Sequence, residues 1–110
     1  MQPEATVKQE FSVSTGLPQK IIDQMKKAGL PSHGQHPFNP KLTTNVLGDT
    51  IIEKRAVAKG PKKGKRGYVD DQGRIWIKDR SHAGLPDHWD VQIDDGDNYF
   101  RVDQNGDQIT

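Results

Sequence analysis

A mainly β, α+β fold, with a small twisted antiparallel sheet of four to five strands and one N-terminal helix, is predicted by three observations on this sequence. From Gly67 onward apolar and polar residues alternate with period two. Turn residues recur at short spacing through the same stretch. Near the N-terminus one segment has helical spacing, with helical punctuation at both ends. The 110 residues suit one domain, and a hydrophobic content of 31% with mean hydropathy -0.89 limits what the chain can bury to one compact core.

Residues 1–14 have no sustained periodicity and predict a frayed lead-in. Thr15 is a candidate cap, Pro18 suits a first turn, and Ile21, Ile22 and Met25 form an apolar stripe ending at Lys26, Lys27 and Gly29. A helix is therefore predicted over about 18–28. The stretch LPSHGQHPFNP that follows reads as an irregular loop. The apolar segment from Asn45 to Ile52 fits a strand or a helical turn equally. Residues 1–58 thus read as a helical and irregular segment, and residues 59–110 as the β-rich domain with a basic lead-in arm.

Within that domain Tyr68 and Val69 lead into Asp70-Asp71-Gln72-Gly73, and Arg74 to Lys78 alternates. His88 to Ile93 alternates again before Asp94-Asp95-Gly96-Asp97, and Tyr99 to Asp103 precedes Gln104-Asn105-Gly106. The parallel between VDDQG and VDQNG predicts two similar hairpins. Alternation assigns Trp89, Val91, Ile93, Ile75, Ile77, Phe100 and Val102 to the core. The other face then carries His88, Asp90, Gln92, Arg74, Trp76, Lys78, Tyr99 and Arg101, a mixture suited to phosphates and bases.

The net charge of +1 conceals an uneven distribution. Up to Arg66 there are 12 Lys/Arg against 5 Asp/Glu, a balance of +7; from Gly67 there are 4 against 10, a balance of -6. The run Lys59, Lys62, Lys63, Lys65 and Arg66, broken by Gly60, Pro61 and Gly64, reads as an extended basic arm that meets phosphates, or else as a solvated linker. Cysteine is absent, which excludes disulfide frameworks and thiolate zinc sites. No apolar run reaches the roughly 18 residues of a membrane span, and the first 15 residues lack the pattern of a signal peptide.

From Lys78 to Val91, 14 residues hold three carboxylates, two imidazoles and two cations. Metal-free RNA cleavage needs such a set: one group deprotonates the ribose 2′-hydroxyl, another protonates the departing 5′-oxygen, and cations stabilise the phosphorane. Imidazoles suit either proton transfer because they titrate near neutrality. His82 falls in a Gly/Pro-containing loop, His88 begins a strand beside Trp89, and Asp79 can orient His82 or act as a base. The bland readings are an exposed loop histidine, a hydrogen-bonded structural histidine and a turn cap. His33 and His36 have a metal-like spacing without supporting carboxylates; His82, His88 and Asp90 form a better N/O ligand set, as a metal-dependent nuclease would need. No metal and no cofactor is expected on the leading interpretation.

The run GRIWIKDRSHAGLPDHWDVQIDDGDNYFRVDQNGDQ resembles the C-terminal cytotoxic domain of cloacin and the ribosome-cleaving colicins, and the related ribonuclease domains of polymorphic toxin and contact-dependent inhibition systems. The shared features are a basic lead (KGPKKGKRG), a Gly73-Arg74 strand start, the Asp79-Arg80-Ser81-His82 motif and a hairpin ending in Asp and Gly. The resemblance covers about the last 50 residues. It implies a bacterial toxin with metal-independent endoribonuclease activity on ribosomal RNA or transfer RNA, carried by a larger secreted protein into the target-cell cytoplasm. A cognate immunity protein, acidic at its contact surface, would neutralise it.

By position, Asp79 and His82 match the family's catalytic Asp and His. The family's Glu meets Pro86, so Asp87 after a one-residue insertion, or His88, takes its place. Arg101 stands in for a C-terminal catalytic Arg. RNA contacts are expected from Lys62, Lys63, Lys65, Arg66, Arg74, Lys78, Trp76 and Tyr99. Two other function classes are a metal-dependent nuclease acting on DNA, separable by chelation, and a non-catalytic nucleic-acid-binding module, which would keep its binding when His82 becomes Ala.

Overall fold

The structure, a computed structural model, describes residues 11–12, 16–79 and 87–109. The lead-in over 1–14 falls largely, and Thr15 and His82 wholly, outside the described residues. One helix, α1 (Gln19–Ala28), packs against a six-stranded antiparallel sheet. Its strands are β5 (Lys54–Ala56), β6 (Arg66–Val69), β7 (Ile75–Asp79), β8 (His88–Ile93), β9 (Asn98–Asp103) and β10 (Gln108–Ile109), each hydrogen-bonded to the next in that order. Two short antiparallel pairs precede it: β1 (Phe11–Ser12) with β2 (His33–Gly34), and β3 (Leu42–Thr44) with β4 (Thr50–Ile52). The mainly β prediction with one N-terminal helix holds. The sheet gains two edge strands beyond four, because β5 joins it from the segment read as irregular and β10 follows the last turn.

The helix forms where its pattern places it. Ile21 and Met25, one turn apart, are buried; Pro18 enters with extended geometry, and Gly29 leaves in the left-handed region at φ 79°, where it donates to the Lys26 carbonyl. These side chains meet Leu30, Phe38, Ile52, Trp76, Trp89, Val91 and Val102 in one core. That core draws on residues from both sides of position 58, so the division at 58/59 does not separate the packing. Trp76 lies edge-on to Phe38, with ring centroids 5.2 Å apart. Among the described residues no helix is long and apolar enough to cross a membrane.

The face assignment needs one correction, in β7. Register pairs Trp76 with Val91 and Ile77 with Asp90, so Trp76 and Lys78 share the helix-side face with Trp89 and Val91. Ile75 and Ile77 lie on the other face, with His88, Asp90 and Gln92. They are buried there against Val57 and Val69. Alternation alone did not distinguish the two phases of β7, since Ile-Trp-Ile is apolar throughout. The proposed RNA contact by Trp76 is thereby excluded: its side chain is 0% exposed.

The paired hairpins are real and have a third member. Asp70 Oδ1 accepts from the backbone N–H of Gln72 (3.0 Å) and Arg74 (2.9 Å); Asp103 Oδ1 accepts from Asn105 (2.8 Å) and Asp107 (3.0 Å); Asn45 Oδ1 accepts from Leu47 (2.9 Å) and Asp49 (3.0 Å). In each the fourth residue, Gly73, Gly106 or Gly48, takes the positive φ that closes the turn. The segment from Asn45 to Ile52 is therefore a turn and a strand.

Asp70 does more than its counterparts. Its Oδ2 also accepts from Arg74 Nε at 2.6 Å and from Trp76 Nε1 at 3.0 Å, and it is 0% exposed. Replacing Asp70 by Ala strands a buried indole N–H beside the loss of the turn. We expect Asp70→Ala to cost about 3 kcal/mol or more, and Asp103→Ala about 1 kcal/mol, in urea denaturation.

Candidate active site

Strand β8 supplies the centre of the site because it is buried on both faces. Trp89 and Val91 enter the helix-side core, and His88, Asp90 and Gln92 point to the opposite face. Cross-strand pairing sets Asp79 beside His88 and Arg101 beside Asp90. The fifth member, Lys62, arrives from the loop between β5 and β6.

That loop was expected to be an extended arm, and the structure corrects this. Val57 donates its backbone N–H to Lys65 and accepts from Gly64, Lys63 donates to Gly60, and Lys65 donates to Lys62, so the residues between fold into tight turns. Lys59 donates its backbone N–H to Asp95 at 2.9 Å, and a Cβ on Gly60 would collide with the Gly96 carbonyl. The loop thus closes over the second face of the sheet and buries Val57 against Val69, Ile75 and Ile77.

Lys62 Nζ lies 3.3 Å from Asp90 Oδ2 and 3.9 Å from Asp79 Oδ2. His88 Nε2 is 3.4 Å from Asp79 Oδ2 and 3.5 Å from Asp90 Oδ1, and Arg101 Nε is 3.5 Å from the same Oδ1. A proton on Nε2 suits an imidazole nitrogen that faces two carboxylates. Asp90 and His88 are 2% and 1% exposed, whereas Asp79, Lys62 and Arg101 reach solvent. Two carboxylates and two fixed cations balance, which is what permits a charge as deep as Asp90.

Of the predicted catalytic residues, the structure brings Asp79, His88 and Arg101 into one cluster. Asp87 precedes it at intermediate burial, and His82 lies outside the described residues. Asp90 was read only as a polar-face residue and a candidate metal ligand, and the site role of Lys62 was missed. The alternation of His88, Asp90 and Gln92 signalled the first; nothing local signalled the second.

Among the expected RNA contacts, Lys63, Lys65 and Arg66 are exposed, as is Tyr99, whose ring lies 5.9 Å from the Arg101 guanidinium. Lys62 is instead an internal ion-pair partner. Arg74 is tied to Asp70, and Lys78 sits on the helix-side face over the Trp89 ring. His36 packs on Phe100 at 4.8 Å and contacts Gln108, whereas His33 contacts Ser32.

One ligand atom each from Asp79, His88 and Asp90 lies within 4.8 Å of the others, the spacing of a metal-binding trio. The Lys62 ammonium contacts both carboxylates of that trio and competes with any cation for them. Lys62→Ala should therefore create zinc affinity: excess zinc is expected to raise the melting temperature of the variant while leaving the parent unchanged in the same thermal scan. Comparison with protein families, with curated proteins and with solved structures finds no match for this chain.

Proposed function

We propose that this chain is a metal-independent endoribonuclease of the bacterial toxin kind, cutting ribosomal or transfer RNA in a competitor's cytoplasm and neutralised by an acidic immunity protein. The observation that supports it most is the setting of Asp79. Its carboxylate sits at the end of β7, partly exposed, 3.4 Å from a buried imidazole and 3.9 Å from a lysine ammonium. The segment that carries His82 leaves from this strand end.

In this reading Asp79 and His82 share two proton transfers. One removes the proton of the ribose 2′-hydroxyl as its oxygen bonds to phosphorus. The other protonates the 5′-oxygen as the P–O5′ bond breaks, leaving a 2′,3′-cyclic phosphate and a 5′-hydroxyl. Arg101 and Lys62 offset the charge that builds on the phosphorane. His88 and Asp90 are too deeply buried to touch RNA and act as positioning residues, holding Asp79, Lys62 and Arg101 in register.

A second reading, a metal-dependent nuclease, is favoured by the Asp79–His88–Asp90 spacing alone. The two separate on incubation with ribosomes, total transfer RNA and duplex DNA, with and without EDTA. A discrete RNA product insensitive to EDTA is expected, lowered about 100-fold or more by Asp79→Asn and by His82→Ala. Cleavage that stops with EDTA would favour the metal reading, and no cleavage of any substrate would leave neither standing.

A further inference from the structure

On the helix-side face, remote from His88 and Asp90, a cavity of about 590 Å³ opens between the C-terminal half of α1 and strands β4 to β6. Its floor is apolar and aromatic, with Ile52 and Tyr68; its rim carries Lys27, Lys54 and Arg66. These three cations have no carboxylate within ion-pair reach among the described residues. By contrast Lys20, Lys41, Arg55, Lys59, Lys62, Arg74 and Arg101 each have one. The carboxylate that does line the cavity, Glu53, already holds Arg55 at 2.7 Å and Lys41 at 3.6 Å.

We propose that this groove is a subsite for one nucleotide of a single-stranded nucleic acid, with the base against Tyr68 and the phosphate among Lys27, Lys54 and Arg66. The inference rests on the ribonuclease reading and deepens it by naming a second place where the substrate strand is held. Three uncompensated cations around an aromatic floor complement a ligand that is anionic at one end and planar at the other. Lys54 Nζ lies 5.1 Å from the Tyr68 ring centroid, so charge and stacking surface are already adjacent. The volume is within the usual range of small-ligand sites.

The register of β6 on β7 sets Tyr68 opposite Trp76, which fixes the aromatic floor of the groove on the helix-side face. Asp79, paired with His88, lies on the opposite face. A strand of RNA held in the groove and cut at Asp79 would touch both faces of the sheet.

The test is fluorescence anisotropy of the full chain with labelled 2′-O-methyl hexauridylate, which lacks the 2′-hydroxyl and stays uncut. The triple variant Lys27→Ala, Lys54→Ala, Arg66→Ala is expected to raise Kd about tenfold or more and to flatten the salt dependence by about 0.7 in log–log slope for each phosphate no longer neutralised. A control at cations outside the groove, Lys20→Ala with Lys26→Ala, should stay within about twofold of the parent. Equal losses in both variants, or no loss in the first, would overturn the subsite. Displacement by hexaglutamate as effective as by unlabelled oligonucleotide would also overturn it, in favour of an acidic protein segment. Because the probe is not cleaved, groove-dependent binding together with failure to cut any RNA would sink the catalytic reading and leave the subsite standing.

Discussion

The contact between the Lys62 ammonium and the Asp90 carboxylate constrains much of the second face of the sheet. Asp90 is at the middle of β8, the most buried strand, and a lone carboxylate there would lose its hydration with nothing in return. Its partners come from three elements: Lys62 from the β5–β6 loop, His88 from its own strand and Arg101 from β9. For Lys62 to arrive, the loop must turn back over the sheet, and that return is what buries Val57 and gives β7 an apolar lining on both sides. A glycine at position 60 permits it, since the backbone of the loop approaches Gly96 too closely for a side chain.

The uneven charge of the chain takes on a different meaning in this light. A balance of +7 against -6 between the two parts suggests a molecule with a basic arm and an acidic body. Yet Lys59 binds Asp97, and Lys62 binds Asp79 and Asp90, so part of the asymmetry is neutralised inside the fold, where the early basic segment closes on the later acidic one. Among the cations left over are two groups, Lys63 and Lys65 at the loop tip and Lys27, Lys54 and Arg66 around the α1 groove; Lys26 and Lys78 also have no carboxylate partner among the described residues.

What was legible in the sequence was whatever a short window encodes. The helix was readable because Ile21 and Met25 repeat at one turn and Gly29 stops them. The hairpins were readable because an Asx residue three before a glycine fixes its own turn; the third, Asn45 to Gly48, carries the same signal and went unread amid apolar neighbours. The phase of β7 was not readable, because an apolar triplet can bury either set of side chains and only pairing with β8 decides. Two of the five site residues, His88 and Asp90, followed from alternation along β8. Lys62 could not, since its role depends on a loop closing across 17 residues to Asp79 and 28 to Asp90, and the groove joins four segments with no shared pattern.

The three polar residues that β8 turns to the second face also bear on why the cluster exists. Leucine or valine at 88, 90 and 92 would pack against Ile75, Ile77 and Val57 without any need for Lys62 or Arg101, and replacing buried ionic groups by apolar ones often stabilises a protein. Gln92, 2% exposed, finds no partner for either end of its amide among the described residues, so the polar row is not explained by good internal bonding. A chain with only 31% hydrophobic residues has little stability to spare. Retaining His88, Asp90 and Gln92 in its most buried strand is therefore a cost against folding. On the proposed reading, that cost is offset by the chemistry of the partly exposed residues that two of them hold, Asp79, Lys62 and Arg101.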